Sequence, residues 1–393
     1  MMINDCVPRL SPDVIFIRHS QNDILVENTK FNYQLKVNEL TFNLINLVDN
    51  IRTIREITNL FNVEYSSSVD SSTVHDILFN KLSKYAIIIV DDNEIKPRTT
   101  SKYLFLKFTI LNSRIVNAIS DFTKFFIFAK NKFIYLLLIF FLIAVLIINL
   151  PVLYSNKHYF NSSYFIWFIL IMRLSNLWHE LGHASASKKY SIEPGNIGFG
   201  FYLFMPVFFT DVSKIWRINR NSRIVVNVGG IYFDTLLSLV LIFVYYLTDW
   251  TGCIVLSYFI SISILYNLNP LVRYDGYWVL VDLFNIPNLQ KDSSDLVYNC
   301  LFKRQYPHSI REILIFSYGI LSKIYIITIL IVLFFVNNEI FTYFPLFAYK
   351  IFSFNLNSIH FSYAYVYNLI ISGLIYVLGF KFIYFRILIK YLR

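Results

Sequence analysis

Two histidines and a glutamate form the most informative short pattern in the chain. The sequence reads His179-Glu180-Leu181-Gly182-His183, which is the HExxH spacing. Residues four positions apart on an α-helix lie one above the other, so both imidazoles can bind one metal ion from the same face. Glu180 can reach a water on that ion and accept its proton. The pattern predicts metal-dependent hydrolysis, with His179 and His183 as ligands and Glu180 as the general base.

The motif lies in an apolar segment, and this context strengthens the prediction. The surrounding residues, 164–190, read YFIWFILIMRLSNLWHELGHASASKKY. Three ionisable groups in a segment of this kind are costly in a membrane unless they form a site. A buried polar cluster without a metal is the alternative interpretation of the same residues.

A catalytic zinc ion usually has three protein ligands and one open position, so a third ligand is expected. Asp275 is the best candidate, because NLNPLVRYDGYW (267–278) lies at the inner end of an apolar segment, at the depth expected for the histidines. His308 is a weaker competitor, and Asp275-Gly276 would also fit a simple turn. Two histidines and one aspartate favour one Zn²⁺ per chain over other divalent ions.

Composition indicates a membrane protein. Hydrophobic residues make up 56% of the 393 residues and charged residues only 15%, whereas soluble proteins carry about 25% charged residues. The net charge of +10 lies mostly between apolar segments, which favours membrane topology over nucleic-acid binding. The three cysteines, Cys6, Cys253 and Cys300, form no CxxC pair. Their spacing argues against a disulfide framework and against a thiolate metal site.

The predicted fold class is mainly α: a polytopic membrane protein with about six transmembrane helices, preceded by a small α+β, winged-helix-like cytoplasmic domain. A helix needs about 20 apolar residues to cross a bilayer. Such segments occur near 133–154, 162–186, 224–248, 252–271, 312–336 and 362–382. The loops assigned outside contain only Lys157 and Lys350 as basic residues. The positive-inside rule therefore predicts a multi-pass protein of the cell membrane with cytoplasmic N- and C-termini, and no signal peptide is visible.

Residues 1–95 are predicted to form the cytoplasmic domain. The predicted elements are a hairpin of 14–19 and 24–29, an amphipathic helix in 35–50, a second helix in 53–61, a third capped by Ser71-Ser72-Thr73, and a strand in 86–92. This order favours a winged-helix-like unit. A generic small α+β domain fits the same pattern.

Residues 96–132 are predicted to be a basic juxtamembrane linker, because lysines and arginines alternate there with apolar and aromatic residues. Such a segment is expected on the cytoplasmic face of the lipid bilayer, with its basic side chains at anionic headgroups. The membrane domain then covers 133–393. Within it, residues 195–210 are apolar but short, which predicts a β-hairpin or a re-entrant segment.

Three further charged residues lie in or near the apolar segments. Arg173 precedes His179 by six positions, and Lys323 lies in the fifth predicted span. Both are interpreted as structural or snorkelling residues rather than catalytic ones. Asp211 could orient either the hairpin or the site, and the sequence leaves this open.

Together, the two motifs resemble the site-2-protease family of intramembrane zinc metalloproteases. Asn267-Leu268-Asn269-Pro270 followed by Asp275-Gly276 matches the NxxP and DG elements of that family. The resemblance covers roughly residues 100–390 and implies Asp275 as the third ligand. It also implies that Asn267 helps to hold the substrate or to polarise its carbonyl, and Asn269 of the same motif is a second candidate for substrate binding. The family's Gly-Pro-x-x-Asn element is altered to Gly230-Ile231-Tyr232-Phe233-Asp234.

Two further resemblances concern the substrate. Residues 208–230 look like the branch of this family found beside peptide-natural-product genes. The N-terminal domain resembles the PqqD-like domain, or RiPP recognition element, which binds leader peptides by strand addition. The implied function is removal of the leader from a small, ribosomally made precursor peptide, with a link to its export. A winged-helix module for self-association or regulation is the alternative for residues 1–95.

Two other functions remain open at this point. The first is regulated cleavage of a transmembrane segment in a single-span protein such as an anti-sigma factor. The second is a non-catalytic transporter or immunity protein. An intact Glu180 argues against the second, since a structural metal site does not need it.

Overall fold

The computed structural model describes residues 5–20, 23–89, 104–127, 133–155, 164–202, 205–336, 340–352, 369, 372–373 and 376. The chain is mainly helical, with a β-rich region near its N-terminus. It divides into two compact units. Unit 1 comprises Met1–Lys102 and Ser213–Ser222, and unit 2 comprises Tyr103–Val212 and Arg223–Arg393.

The strands of unit 1 form two small antiparallel sheets. β1 (Arg9–Leu10) pairs with β5 (Ile88–Ile89). β2 (Val14–Ser20), β3 (Asp23–Asn28) and β4 (Tyr33–Val37) form a three-stranded sheet with β3 at its centre. The predicted hairpin is present as β2 and β3. Of the predicted C-terminal strand 86–92, residues 88–89 form β5, and residues 90–92 lie outside the described residues.

The segment 35–50, predicted as one helix, is divided between a strand and a helix. Val37 pairs with Ile24 at the end of β4. The helix α1 (Glu39–Asn46) begins only after Asn38, whose side chain accepts a hydrogen bond from the Thr41 amide. The prediction was wrong here because Val37 fits a helical apolar spacing as well as a strand's inward face, and the N-cap decides where the helix begins.

Two further helical segments complete unit 1. A reciprocal capping box between Thr53 and Glu56 starts α2 (Ile54–Glu64). Asp70, rather than the predicted serines and threonine, caps α3 (Ser71–His75), which continues as π-helical turns over Asp76–Leu82. The fully buried core residues on these elements and the sheet include Ile24, Val26, Ile45, Ile54, Ile57, Val74 and Leu78.

A buried ion pair attaches the segment Ser213–Ser222 to the sheet of unit 1. Arg217 donates hydrogen bonds of 2.8 and 2.7 Å to the two carboxylate oxygens of Glu27 on β3. The Glu27 side chain is only 1% exposed, whereas the Arg217 side chain is 30% exposed. These hydrogen bonds raise the pKa of Arg217. His19 on β2 donates a second hydrogen bond of 3.0 Å to the Trp216 carbonyl.

The elements of unit 2 include one sheet and most of the helices. β6 (Leu104–Leu111), β7 (Ile197–Tyr202) and β8 (Met205–Thr210) form an antiparallel sheet with β7 at its centre. The 195–210 region is therefore the β-hairpin of the two predicted alternatives, and residues from the predicted 96–132 linker supply the third strand. The helices are α4 (Ser113–Thr123), α5 (Phe133–Ile148), α6 (Leu150–Ser155), α7 (Tyr164–Lys189), α8 (Arg220–Thr248), α9 (Thr251–Asn267), α10 (Asp275–Phe284), α11 (Leu289–Lys303), α12 (Ile310–Val336) and α13 (Ile340–Phe352).

Two helical segments in the described part of the chain are long and apolar enough to cross a membrane, Arg220–Thr248 and Ile310–Ile329. The prediction of six spans is therefore not confirmed. The predicted span 133–154 is divided at Asn149 into α5 and α6, and α9 has only 17 residues. α7 has 26 residues, but its hydropathy is lowered by charged groups such as Arg173 and Glu180. The predicted span 362–382 lies outside the described residues, except for 369, 372–373 and 376.

A small core cluster holds the motif-bearing helix against the sheet. Leu181 and Ala184 on α7 pack with Val116 on α4 and Ile197 on β7, and all four residues are buried. The face of α7 that is opposite to this cluster is left to contact other helices.

Replacement of Arg217 should destabilise the protein more than replacement of Glu27. Arg217→Ala leaves a buried carboxylate without its partner, which should cost about 2–4 kcal/mol. Glu27→Gln should cost less, because the half-buried guanidinium can still reach water. Thermal unfolding of the detergent-purified full chain measures the difference. Arg18→Ala is the matched control, since Arg18 and Glu39 form an exposed pair that should contribute less than about 1 kcal/mol. Equal melting temperatures for Arg217→Ala and Arg18→Ala would contradict the argument.

Candidate metal centre

Three ligand-type side chains converge in unit 2, and they come from two helices. His179 and His183 lie one turn apart on α7, and Asp275 is the first residue of α10. The two histidine Nε2 atoms are 3.2 Å apart. Asp275 Oδ2 lies 3.0 Å from His179 Nε2, and Asp275 Oδ1 lies 3.3 Å from His183 Nε2. The predicted ligand set is therefore brought together as a group that could hold a metal ion.

The spacing of these atoms matches the size of a zinc site. Two ligands held about 2.0–2.1 Å from a tetrahedral ion lie about 3.3 Å apart. The two Nε2 atoms are 3.2 Å apart, and each lies 3.0 or 3.3 Å from a different oxygen of the Asp275 carboxylate, so each of these pairs is close to this value. One ligand atom from each residue lies within 4.8 Å of the other two. Nitrogen and carboxylate oxygen donors in this number also suit zinc.

The Asp275 carboxylate supports the same interpretation. Its Oδ2 atom is buried, and among the described residues it receives no hydrogen bond of acceptable geometry. A buried carboxylate oxygen without a donor is costly. A cation among the three side chains would satisfy it.

The backbones of α7 and α8 approach each other closely next to the site. A Cβ atom at Gly182, the fourth residue of the HExxH motif, would lie 2.4 Å from the Gly229 carbonyl oxygen. A Cβ at Gly229 would lie 2.6 Å from the Gly182 carbonyl oxygen. Real Cβ atoms do not approach this closely, so both positions need glycine. The indole of Trp178 donates a hydrogen bond of 2.9 Å to the Phe233 carbonyl on the same pair of helices.

Because α8 is so close, it contacts both histidines on the ring edge that faces away from Asp275. His183 Nδ1 lies 2.8 Å from the Val226 carbonyl oxygen. A carbonyl only accepts, so Nδ1 of His183 carries the proton and its Nε2 lone pair is directed to the ligand group. His179 Nδ1 lies 2.7 Å from the Asp234 carboxylate.

A buried ion-pair network connects α8 to the helix that carries Asp275. Arg223 donates to Asp282 Oδ1 at 2.8 Å, and Asn227 donates to Asp282 Oδ2 at 3.0 Å. Asp282 follows Asp275 by seven residues and therefore lies near the same face of α10. All three residues of the network are buried. The network fixes α10 against α8, and through it the position of Asp275.

Glycine is needed at position 276 for close packing, and not only for a turn. A Cβ at Gly276 would lie 2.1 Å from the Leu268 carbonyl oxygen at the end of α9. The pair begins the helix α10 rather than closing an isolated turn. Glycine at this position lets α10 start directly against α9, which places Asp275 beside the histidines.

Glu180 is held by the neighbouring sheet. The Thr210 hydroxyl, at the end of β8, lies 2.7 Å from the Glu180 carboxylate and 2.9 Å from its backbone carbonyl. The Glu180 side chain is half-buried. Thr210 therefore positions the predicted general base and connects it to an edge strand.

Among the described residues, the other side chains considered from the sequence are not members of this ligand group. Asn267 ends α9, and the side chain of Asn269 accepts a hydrogen bond of 2.9 Å from the Leu271 amide within the turn that follows. His308 is exposed in the loop before α12, and Arg173 and Lys323 are exposed on their helices. Asp211 closes the base of the β7–β8 hairpin through backbone hydrogen bonds with Gly195 and Asn196.

The supporting residues on α8 were not predicted from the sequence, although a signal for them was present. Arg223, Asn227, Gly230 and Asp234 are spaced by four, three and four positions, so they share one face of the helix. Polar and small residues at this spacing in an apolar segment indicate a face that packs on a polar partner. The resemblance drew attention to Asp234 only as a departure from a motif.

Substitution of Gly230 should displace His179. A Cβ at this position would lie 2.4 Å from His179 Nε2, the nitrogen that faces the other ligands. Gly230→Ala should therefore weaken zinc binding about tenfold or more, even though alanine favours a helix by about 1 kcal/mol over glycine. Zinc retained after dialysis against a chelator measures the effect.

The matched control for this prediction is Gly252→Ala. The atoms nearest to its added Cβ would be those of the Trp250 side chain, at 3.0 Å, near the start of α9. Full zinc retention by Gly230→Ala would show that the helix pair separates easily, contrary to the packing described here.

Comparison with known proteins gives one informative relative. The chain is 26% identical over 211 residues to "Putative peptide zinc metalloprotease protein YydH" of Bacillus subtilis (strain 168), a match that covers 52% of this chain and 82% of that protein. No protein-family model matches the chain, and no solved structure matches it. The likeness to this relative supports a zinc metalloprotease as the broad class of the chain.

Proposed function

We propose that this chain is a membrane-embedded zinc endopeptidase, with His179, His183 and Asp275 as metal ligands and Glu180 as the general base. The observation that carries the proposal is the convergence of His179, His183 and Asp275, whose ligand atoms, one from each residue, all lie within 4.8 Å of one another. Glu180 lies on the same helix, next to one ligand. A purely structural metal site would have no need for this glutamate.

The proposed reaction is hydrolysis of a peptide bond by water. A bound zinc ion would supply Lewis-acid activation of the water and of the scissile carbonyl. Glu180 accepts a proton as the water attacks the carbonyl carbon, and it returns a proton to the leaving amine as the C–N bond breaks. The products are one new carboxylate and one new amine. The Thr210 hydroxyl keeps the Glu180 carboxylate in place through both proton transfers.

The substrate is proposed to bind in an extended conformation along β8. A helical peptide engages its carbonyls in internal hydrogen bonds, whereas an extended one presents them to the site. β8 has β7 on one side and no second strand partner among the described residues. Strand addition at this edge would place a peptide beside Thr210, which contacts Glu180. Asn267 and Asn269 are proposed to contribute to substrate binding on the strength of the sequence resemblance.

The proposed substrate is a small, ribosomally made precursor peptide, whose leader binds unit 1. The word "peptide" in the name of the Bacillus relative is consistent with this class. The three-stranded sheet of unit 1 has two edges, β2 and β4, at which an extended leader could be added. The same proposal places the chain in the cell membrane as a multi-pass protein with cytoplasmic termini. Its two long apolar helices support membrane insertion.

Glu180→Gln should retain zinc and abolish cleavage, because glutamine cannot accept the proton. The experiment co-expresses wild type or Glu180→Gln with the small peptide encoded nearest its gene, and reads the peptide mass by mass spectrometry. Zinc content of both purified proteins is measured in parallel. Glu193→Gln is a control, since Glu193 follows α7 outside the ligand group.

A truncated peptide made by the wild type and by Glu193→Gln, but not by Glu180→Gln, would support the proposal. Cleavage by Glu180→Gln would contradict the assigned base. An intact peptide in all samples, with zinc bound, would contradict this choice of substrate and direct the search to single-span membrane proteins. Absence of zinc from the wild type would contradict the metal site itself.

A further inference from the structure

The buried carboxylate of Asp234 has no role in the reaction as described so far. Asp234 lies on α8 within the apolar stretch GIYFDTLLSL (230–239), and its residue is only 3% exposed. Burial of a carboxylate is costly unless a partner compensates for it. Among the described residues, the hydrogen-bond partner of Asp234 is His179 Nδ1, at 2.7 Å. The free-energy cost of burying this carboxylate suggests that Asp234 contributes to the metal centre.

We propose that Asp234 is a positioning residue that orients His179 and strengthens it as a metal ligand. The proposal rests on the zinc site described above. The carboxylate accepts the Nδ1 proton of His179, so the lone pair at Nε2 points to Asp275 and His183. The negative charge of Asp234 also raises the electron density of the imidazole, which strengthens its bond to a cation.

Asp234 does not act as a fourth ligand. Its Oδ2 atom bonds Nδ1 of His179, which lies on the opposite edge of the ring from Nε2. The ligand group of the described residues consists of His179, His183 and Asp275. Asp234 therefore acts on the site through the imidazole, and the open position expected of a catalytic zinc is left for water and substrate.

The two histidines are supported unequally, and this difference makes the inference specific. His183 donates to a neutral backbone carbonyl, that of Val226, whereas His179 donates to a carboxylate. A hydrogen bond to a charged acceptor is roughly twice as strong as one between neutral groups. Of the two acceptors that α8 offers to the histidines, the one at His179 is therefore a side chain that a substitution can remove, whereas the one at His183 is main chain.

Neighbouring packing explains how the carboxylate reaches the ring. Gly230 lies one helical turn before Asp234 and has its hydrogen against His179, where a Cβ would come within 2.4 Å of Nε2. Trp178 packs on Phe233, with ring centroids 4.8 Å apart. These contacts hold α7 and α8 close together next to His179, so that the short aspartate side chain reaches the ring.

The test compares Asp234→Asn and Asp234→Ala with Thr235→Val in the full chain purified in detergent. Thr235 is the matched control, because it is 1% exposed on the same helix and its hydroxyl bonds only its own helix, at the Ile231 carbonyl. Zinc affinity is measured by competition with a fluorescent chelator in the Glu180→Gln background, which removes any dependence on activity. Thermal unfolding of each metal-free protein and the visible spectrum of each cobalt-substituted protein are recorded as well.

We expect Asp234→Ala to bind zinc about 10- to 100-fold more weakly than its parent. Asp234→Asn should fall between them, because its amide oxygen can still accept the hydrogen bond but the charge is lost. The cobalt spectrum should shift in both variants, whereas Thr235→Val should match its parent in affinity and spectrum. Unchanged affinity in Asp234→Asn and Asp234→Ala would overturn the inference. An equal loss in Thr235→Val would also overturn it, since it would assign the effect to packing.

Asp275→Asn separates this inference from the proposed function. If the parent binds zinc and Asp275→Asn does not, the metal site stands, and the Asp234 variants decide the inference. If Asp275→Asn binds zinc as the parent does, the proposed site is wrong, whatever the Asp234 variants show. If Asp234→Ala does not fold, Asp234→Asn decides alone, because asparagine has the same shape as aspartate: weaker binding supports the inference, and unchanged binding overturns it.

Discussion

The close approach of α7 and α8 is the constraint on which the candidate metal centre depends. Gly182 and Gly229 face each other where a single methyl group would collide with backbone. Glycine inside a helix costs about 1 kcal/mol relative to alanine, and the chain accepts this cost at successive positions of α8. In return, two acceptors on α8 reach the two histidines of α7. A wider separation would lose both hydrogen bonds together.

The helix α8 combines two properties that usually exclude each other. It is one of the two described helices long and apolar enough to cross a membrane, and it also carries the buried Arg223, Asn227 and Asp234. Each of these polar side chains is paired with a residue of another helix, Asp282 or His179. The charges therefore face the protein interior, where they fix the elements that carry the ligands, and the remaining faces of the helix can stay apolar.

The sequence predicted the metal ligands more completely than the residues that hold those ligands in place. The four-residue spacing places the side chains of His179 and His183 on the same face, because both residues lie on one helix. The contact of Asp275 with the histidines depends on how α10 packs. Its place at the inner end of an apolar segment suggested it as third ligand, and the resemblance to a family supported the same assignment. The roles of Asp234 and Asp282 depend on interhelical register, which a single sequence does not specify. The cost of a carboxylate in an apolar segment was a signal that could have singled them out. In unit 1, the boundary of β4 was missed because Val37 fits two periodicities, and only the Asn38 cap separates them.

The segment Ser213–Ser222 makes unit 1 discontinuous in the chain. Its preceding strand, β8, and most of the following helix, α8, belong to unit 2, whereas the segment itself is grouped with residues 1–102. It contributes the buried Ile215 and the Arg217 partner of Glu27. A fragment that ends near residue 95 would thus lack part of its own fold and would retain a buried, unpaired carboxylate on its central strand. The fold of unit 1 therefore requires the intact chain, in which the same ten residues also form the covalent connection between the edge strand β8 and the helix α8 that supports the histidines.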